Sequence, residues 1–129
     1  MNIEKIKIHD KEYKVEIAES SKDKEKGLSN RDSLDKDKGM LFDFSDEIDT
    51  VSFWMKDTTI PLDIIFIDED LEVIKVGKGE PESTKGIKCD NVAYVLELNQ
   101  DSGVEEGDVL EFIDEDGPVM KILASDGST

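Results

Sequence analysis

The sequence is short of the residues on which several common kinds of site depend. Its 129 residues include one cysteine, Cys89, and one histidine, His9. A lone cysteine forms no disulfide within the chain, and this pair supports neither a zinc site nor a cysteine nucleophile. We therefore expect no metal and no other cofactor.

Long apolar segments are also missing. No run approaches the roughly 20 apolar residues that are needed to cross a bilayer. The first eight residues alternate charged and apolar side chains, which is not the pattern of a signal segment. With a single cysteine in addition, the expected location is the cytoplasm.

Basic residues are scarce, because 16 lysines and arginines stand against 33 aspartates and glutamates, and the formal net charge is −17. Nucleic-acid binding draws much of its affinity from cations that neutralise phosphates, and anionic membranes attract basic segments. The charge therefore predicts that the chain binds neither nucleic acid nor a membrane. A cation, a basic protein or a neutral small molecule remains as a partner, and the acidity also favours solubility.

What the sequence does contain is a series of short apolar runs separated by polar turns. A length of 129 residues is that of a single domain, and the clustering of apolar residues predicts a folded chain rather than a disordered one. Residues 5–17 alternate with a period of two around the polar segment 9–12, which predicts a β-hairpin. Further strands are predicted over residues 40–44, 51–56, 62–67, 73–76, 92–98, 109–113 and 119–123.

Few segments favour helix. Ser20 and Ser21 before a charged stretch, with Gly27 after it, predict a short helix over 22–26. A second helical turn is predicted from Ser29 to Leu34, and residues 77–90 are predicted to be a mobile loop. Eight or nine strands with one or two short helices predict an α+β fold, mainly antiparallel β, in a compact barrel-like or half-closed sheet.

Four motifs stand in order along the chain: Gly-Leu-Ser-Asn-Arg at 27–31, Gly-Met-Leu-Phe at 39–42, Phe-Trp-Met-Lys-Asp-Thr at 53–58 and Pro-Leu-Asp-Ile at 61–64. With these motifs the chain resembles the domain of unknown function 192 family over about residues 15–109. The resemblance implies one compact, mainly-β domain across the chain. It implies no mechanism and supplies no catalytic residues.

The chain departs from that family pattern in two places. Many relatives carry a cysteine pair in the loop that corresponds to residues 77–90, where this chain has only Cys89. Beyond residue 109 the chain adds a predicted hairpin over about 110–123. Such an extension suggests a phage-borne member, and virion association is therefore an alternative to a cytoplasmic location.

Arg31 is the only arginine beside 15 lysines. A guanidinium binds a carboxylate or a phosphate with two parallel hydrogen bonds and tolerates burial better than an ammonium. Asp63 and Glu97, each a lone acid in an apolar strand, are its predicted partners. Either a structural ion pair or an anchor for a ligand would explain Arg31.

Trp54 is predicted to lie on the polar face of its strand with Ser52 and Lys56, opposite Phe53 and Met55. Such an aromatic side chain lines a pocket or an interface, or covers the end of a barrel. Thr58 in the next turn would contribute to the same opening. Asp63 and Glu97 together also suggest the acid pair of a glycosidase.

These residues lead to three hypotheses of function. The first is a non-catalytic binding or interaction module, whose ligand site is formed by Arg31, Trp54, Lys56, Thr58, Asp63 and Glu97. The second is a structural or accessory protein that assembles into a phage particle. The third is a hydrolase that uses the two strand-borne acids.

Overall fold

A computed structural model describes residues 2–113 of the chain, which contain nine strands and one short helix. In chain order these are β1 (Ile3–Ile8), β2 (Lys11–Ala18), α1 (Ser21–Lys26), β3 (Lys38–Asp43), β4 (Asp49–Phe53), β5 (Leu62–Ile67), β6 (Val73–Gly79), β7 (Ile87–Val92), β8 (Tyr94–Asn99) and β9 (Glu111–Ile113). The helix in this range is too short to cross a bilayer.

Seven strands form one sheet in the order β6-β5-β8-β3-β2-β1-β9, and β4 pairs with β7 in a separate ribbon. All pairs are antiparallel except β2 with β3, which run parallel. A parallel pair needs a crossover connection, and the segment that carries α1 provides it. The large sheet does not close, so the prediction of a half-closed, mainly antiparallel α+β fold is confirmed and a barrel is not formed.

The large sheet is covered on both faces. All six residues of β5 are buried, as the apolar run over 62–67 predicts for a central strand. One core includes Ile65 and Leu96 and lies against the β1–β2 hairpin. The other includes Phe66 and Val95 and packs against Leu28, just after α1, and against residues of the β4–β7 ribbon. Because side chains alternate along each strand, neighbouring residues of β5 and β8 belong to different cores.

Two predicted elements are wrong. No helical turn follows Ser29, because Asn30 has a left-handed backbone (φ 63°) and its N–H donates to the Asp57 carbonyl at 2.8 Å. The predicted loop over 77–90 contains the end of β6 and the first four residues of β7. The pairing of β7 with β4 places Ile87 opposite Phe53, and this long-range partner is what makes the segment a strand.

The C-terminal hairpin is described only in part. Strand β9 pairs antiparallel with β1, with Phe112 opposite Ile6. It lies within the segment 109–113 that was predicted as a strand, and it is the edge strand of the large sheet. The returning strand predicted over 119–123 lies outside the described residues.

Gly39 of β3 leaves no space for a side chain against β8. A Cβ atom at this position would stand 2.7 Å from the Glu97 carbonyl oxygen and 2.7 Å from Leu98 Cδ2. We expect Gly39→Ala to lower the free energy of unfolding by about 1–3 kcal/mol, because a backbone atom in mid-sheet cannot move away. Urea unfolding monitored by circular dichroism would measure the change.

Gly86→Ala is the matched control for this substitution. Its Cβ atom would meet only the Ser52 hydroxyl oxygen, at 2.8 Å, and an exposed side chain can rotate away. We expect a change within about 0.5 kcal/mol. Equal stabilities of the two variants would contradict the close approach of β3 and β8 at Gly39.

Candidate functional site

A pocket of about 300 Å³ opens on the face of the sheet that α1 and the β4–β7 ribbon cover. Its lining comes from residues 24–29, from Phe42 and Phe44, from residues 52–58 and from Glu97. These parts of the chain converge only because α1 and the ribbon both pack over β3 and β8. The volume is at the small end of the range for pockets that bind small molecules.

The first wall is formed by α1 and its C-terminal cap. The helix begins after Ser20, whose hydroxyl accepts the Asp23 N–H at 3.1 Å, and it ends at Gly27, which has a φ of +49°. A Cβ atom on Gly27 would lie 3.3 Å from the Phe42 ring. Glycine thus gives the chain a left-handed turn and brings the end of the helix against the ring.

Aromatic side chains form the opposite wall. Phe53 packs edge to face against Phe42, with 4.8 Å between ring centroids, and more distantly against Phe44 at 6.1 Å. Trp54 directly follows the end of β4 at Phe53 and is 54% exposed. The alternation predicted for residues 51–56 is therefore present, and the pocket is lined from both sides of it.

Lysine ammonium groups stand over two of these rings. Lys24 Nζ lies 4.4 Å from the centroid of the Phe44 ring, and Lys56 Nζ lies 5.5 Å from that of Trp54. Both distances are within the range of cation–π interactions. The mouth of the pocket therefore carries positive charge on either side.

Glu97 is the buried acid of the pocket. It lies in β8, in register with Met40 of β3 and Ile64 of β5, and only 4% of it is exposed. Among residues 2–113 its carboxyl group has no hydrogen-bond partner, but its oxygens are not fully enclosed, because Gln100 Nε2 is the only enclosed side-chain nitrogen or oxygen in that range without a partner. Burial raises its pKa from 4.5 to about 8, so at neutral pH the group is largely un-ionised and both donates and accepts hydrogen bonds.

Of the six residues predicted to form a site, the structure brings four together. Trp54, Lys56, Thr58 and Glu97 all line the pocket. Arg31 and Asp63 do not line it. The fold therefore brings Trp54, Lys56 and Thr58 close to Glu97 of β8. Arg31 and Asp63 have other neighbours.

Arg31 forms a two-pronged ion pair with Glu16 of β2, with nitrogen–oxygen distances of 2.5 and 3.0 Å. The prediction that its partner is Asp63 or Glu97 is wrong, although the expected ion pair is present. The hydrogen bonds from Arg31 hold the pKa of Glu16 below its ordinary value. Glu16 alternates with Val15 and Ile17 as any charged residue on the outer face of a strand would, so its sequence context did not indicate this role.

Asp63 lies on the opposite face of the sheet from Glu97. It is in register with Leu98, whereas Glu97 is in register with Ile64, and alternation along the two strands sends the carboxyl groups to different sides. Asp63 Oδ2 accepts the backbone N–H of Ser102 at 3.0 Å and its hydroxyl at 2.6 Å. The two acids cannot flank one substrate, so the acid pair suggested for a hydrolase is contradicted.

Sequence reasoning missed several residues of the pocket, among them Lys24 and Phe44. Their positions depend on how α1 lies over β3, which no local pattern reveals. Gly27, Ser29 and Phe42 do belong to the first two motifs, so the motifs themselves were the available signal. Within residues 2–113, no three His, Cys, Asp or Glu side chains come together as ligands for a metal ion.

Comparison with known proteins gives a family and two solved structures. The model of the family DUF192, described as "Uncharacterized ACR", matches residues 4–112. A crystal structure of a "putative transcription regulator" from Sinorhizobium meliloti 1021 is similar, with a TM-score of 0.81 and 36% identity over 86% of this chain and 94% of that one. A protein of unknown function from Novosphingobium aromaticivorans gives a TM-score of 0.79 and 29% identity over 84% of each chain. No curated protein matches the sequence.

Proposed function

The chain belongs to the DUF192 family, and from that premise we propose that it is a non-catalytic binding module that holds a small polar molecule in the pocket beside α1. The observation that carries the proposal is the unpartnered carboxyl group of Glu97. A ligand that enters the pocket would reach this group past the aromatic wall and the lysines of the mouth.

The energetics of Glu97 favour a functional role over a structural one. Desolvation of a carboxyl group without a protein partner is unfavourable, and an apolar side chain in mid-strand would avoid this cost, whereas Glu97 directs its carboxyl group into the pocket. Its neighbours in register, Met40 and Ile64, are both apolar. Binding and active sites typically contain residues such as Glu97, which lower the stability of the fold and have a strongly raised pKa inside a cleft.

Binding is favoured over catalysis by what surrounds the pocket. The hydroxyl groups of Ser29, Ser52 and Thr58 line it, but a hydroxyl nucleophile needs an adjacent base. His9, the only histidine of the sequence, instead contacts Asp108 at 3.0 Å and lines a different cavity. Asp63, the second acid of the predicted glycosidase pair, lies on the other face of the sheet.

The other roles find less support. A role in transcription, as the name of the Sinorhizobium protein suggests, would have to act through a protein or a small molecule, because a net charge of −17 disfavours contact with nucleic acid. Assembly into a phage particle depends on the C-terminal hairpin, of which the described part pairs with β1 of the same chain.

A fluorescence screen would test the pocket directly, because Trp54 is the only tryptophan of the sequence and lies at the pocket mouth. Neutral, anionic and cationic small metabolites would be titrated into the protein, and each hit would be measured by calorimetry. We expect Glu97→Leu to weaken binding at least about tenfold, since the ligand loses its hydrogen bonds to the carboxyl group.

Arg31→Ala is the matched control, because Arg31 belongs to the motif at 27–31 that supplies Gly27 and Ser29 to the pocket, but it does not line the pocket itself. We expect this variant to bind any hit as the wild type does. Circular dichroism would verify that both variants fold. A screen without hits, or hits that Glu97→Leu binds as tightly as the wild type, would overturn the proposal.

A further inference from the structure

Building on this proposed function, we propose that the ligand of the pocket is a small hydroxylated carboxylate of the sugar-acid type. Its carboxylate group would lie at the mouth beside Lys24 and Lys56, and a hydroxyl group would meet Glu97. The charge, the hydrogen-bonding groups and the shape of the pocket each support one part of this assignment.

The fixed charge of the pocket is opposite in sign to that of the chain. Lys24, Lys26 and Lys56 line it together with one exposed acid, Glu25, and the buried Glu97. Elsewhere the acids outnumber the bases by about two to one. At physiological salt the Debye length is about 8 Å, so the lysines that line the pocket contribute more to the potential there than distant acids do. A bound carboxylate is favoured at this mouth, and an ammonium group is disfavoured.

The hydrogen-bonding groups of the pocket suit hydroxyl groups on the ligand. An un-ionised carboxyl and a hydroxyl each donate and accept, and the lining contains Glu97 with Ser29, Ser52 and Thr58. The Thr58 hydroxyl donates to the Lys56 carbonyl at 3.3 Å, which leaves its oxygen free to accept. Hydroxyl groups on the ligand also donate and accept hydrogen bonds, so they could pair with both the donors and the acceptors of these side chains.

The shape of the pocket favours a single compact ring. A volume of about 300 Å³ is small among ligand pockets, and it suits a single ring better than several. Phe42, Phe44 and Phe53 provide an apolar wall on which the C–H face of such a ring would pack. A sugar acid combines an apolar face, an edge of hydroxyl groups and one carboxylate.

Three ligands with the same ring and different charge would test the assignment: glucuronate, glucose and glucosamine. Their binding would be measured by calorimetry and by Trp54 fluorescence at pH 7. We expect glucuronate to bind about tenfold more tightly than glucose, the effect of a charge-assisted hydrogen bond, and glucosamine to bind most weakly. The double variant Lys24→Gln/Lys56→Gln should remove the preference for glucuronate over glucose.

The double variant Lys11→Gln/Lys36→Gln is the matched control, because it removes the same charge from two lysines that line a different cavity. It should keep the preference. Equal binding of glucose and glucuronate, a preference for glucosamine, or no binding of any of the three would overturn the ligand assignment. If other molecules bind in a way that depends on Glu97, the binding function stands while the sugar-acid class fails.

Discussion

Replacing Glu97 by glutamine is expected to stabilise the protein, and to do so more strongly as the pH rises. The pKa of Glu97 is about 8 in the folded chain, whereas the ordinary value for a glutamate, which we take for the unfolded chain, is 4.5. Between these values the folded chain holds a proton that the unfolded chain has released, so the stability of the wild type falls as the pH rises. Glutamine does not ionise, and the variant lacks this loss.

The expected gain is near zero at pH 4.5 and reaches a plateau above pH 8. At 1.36 kcal/mol for each pH unit, the plateau has an upper limit of about 5 kcal/mol. Denaturant unfolding of both proteins at several pH values would give the difference. Glu25→Gln, an exposed acid on the rim of the same pocket, is the control and should stay within about 0.5 kcal/mol at each pH. A gain from Glu97→Gln that does not vary with pH would contradict the buried, un-ionised carboxyl group.

Removing the carboxyl group of Asp63 is expected to have the opposite effect. In Asp63→Ala, the N–H and the hydroxyl of Ser102 both lose the oxygen that they share. These donors are buried, and an unsatisfied buried donor costs about 1–3 kcal/mol. We expect the free energy of unfolding to fall by about 3 kcal/mol, as measured by urea unfolding at pH 7. The loop after β8 should also lose protection from hydrogen exchange, because Ser102 fastens it to β5.

The chain contains a natural control for this substitution. Asp43 accepts the backbone N–H of Ser45 at 2.9 Å and its hydroxyl at 2.6 Å, which repeats the geometry at Asp63 in an exposed position. Water replaces the lost acceptor there, so we expect Asp43→Ala to cost less than about 1 kcal/mol. Equal losses in the two variants would show that burial does not set the value of the Asp63 contacts.

The contrast between Asp63 and Glu97 shows where reasoning from sequence reached its limit. Both acids stand alone in apolar strands, and the sequence therefore treated them as one kind of residue. Alternation assigns each to a face of its own strand, but the register of β5 against β8 decides whether the two faces coincide. That register places Leu98, not Glu97, opposite Asp63. Because of this offset of one residue, Asp63 is a hydrogen-bonded structural acid on one face, and Glu97 is an acid without a partner in a pocket on the other.

The sequence by itself determined the local features of this protein: the period of the strands, the capped helix before Gly27, and the outward side of Trp54. These depend on neighbours a few residues apart, whose geometry the backbone dictates. Only the tertiary structure decided that Arg31 binds Glu16, that residues 87–92 form a strand, and that Glu97 opens into a pocket. Each of these depends on partners distant in sequence, which are positioned by the packing of whole elements. Bases are scarce in the sequence, and only the fold brings three of them, Lys24, Lys26 and Lys56, to the lining of one pocket.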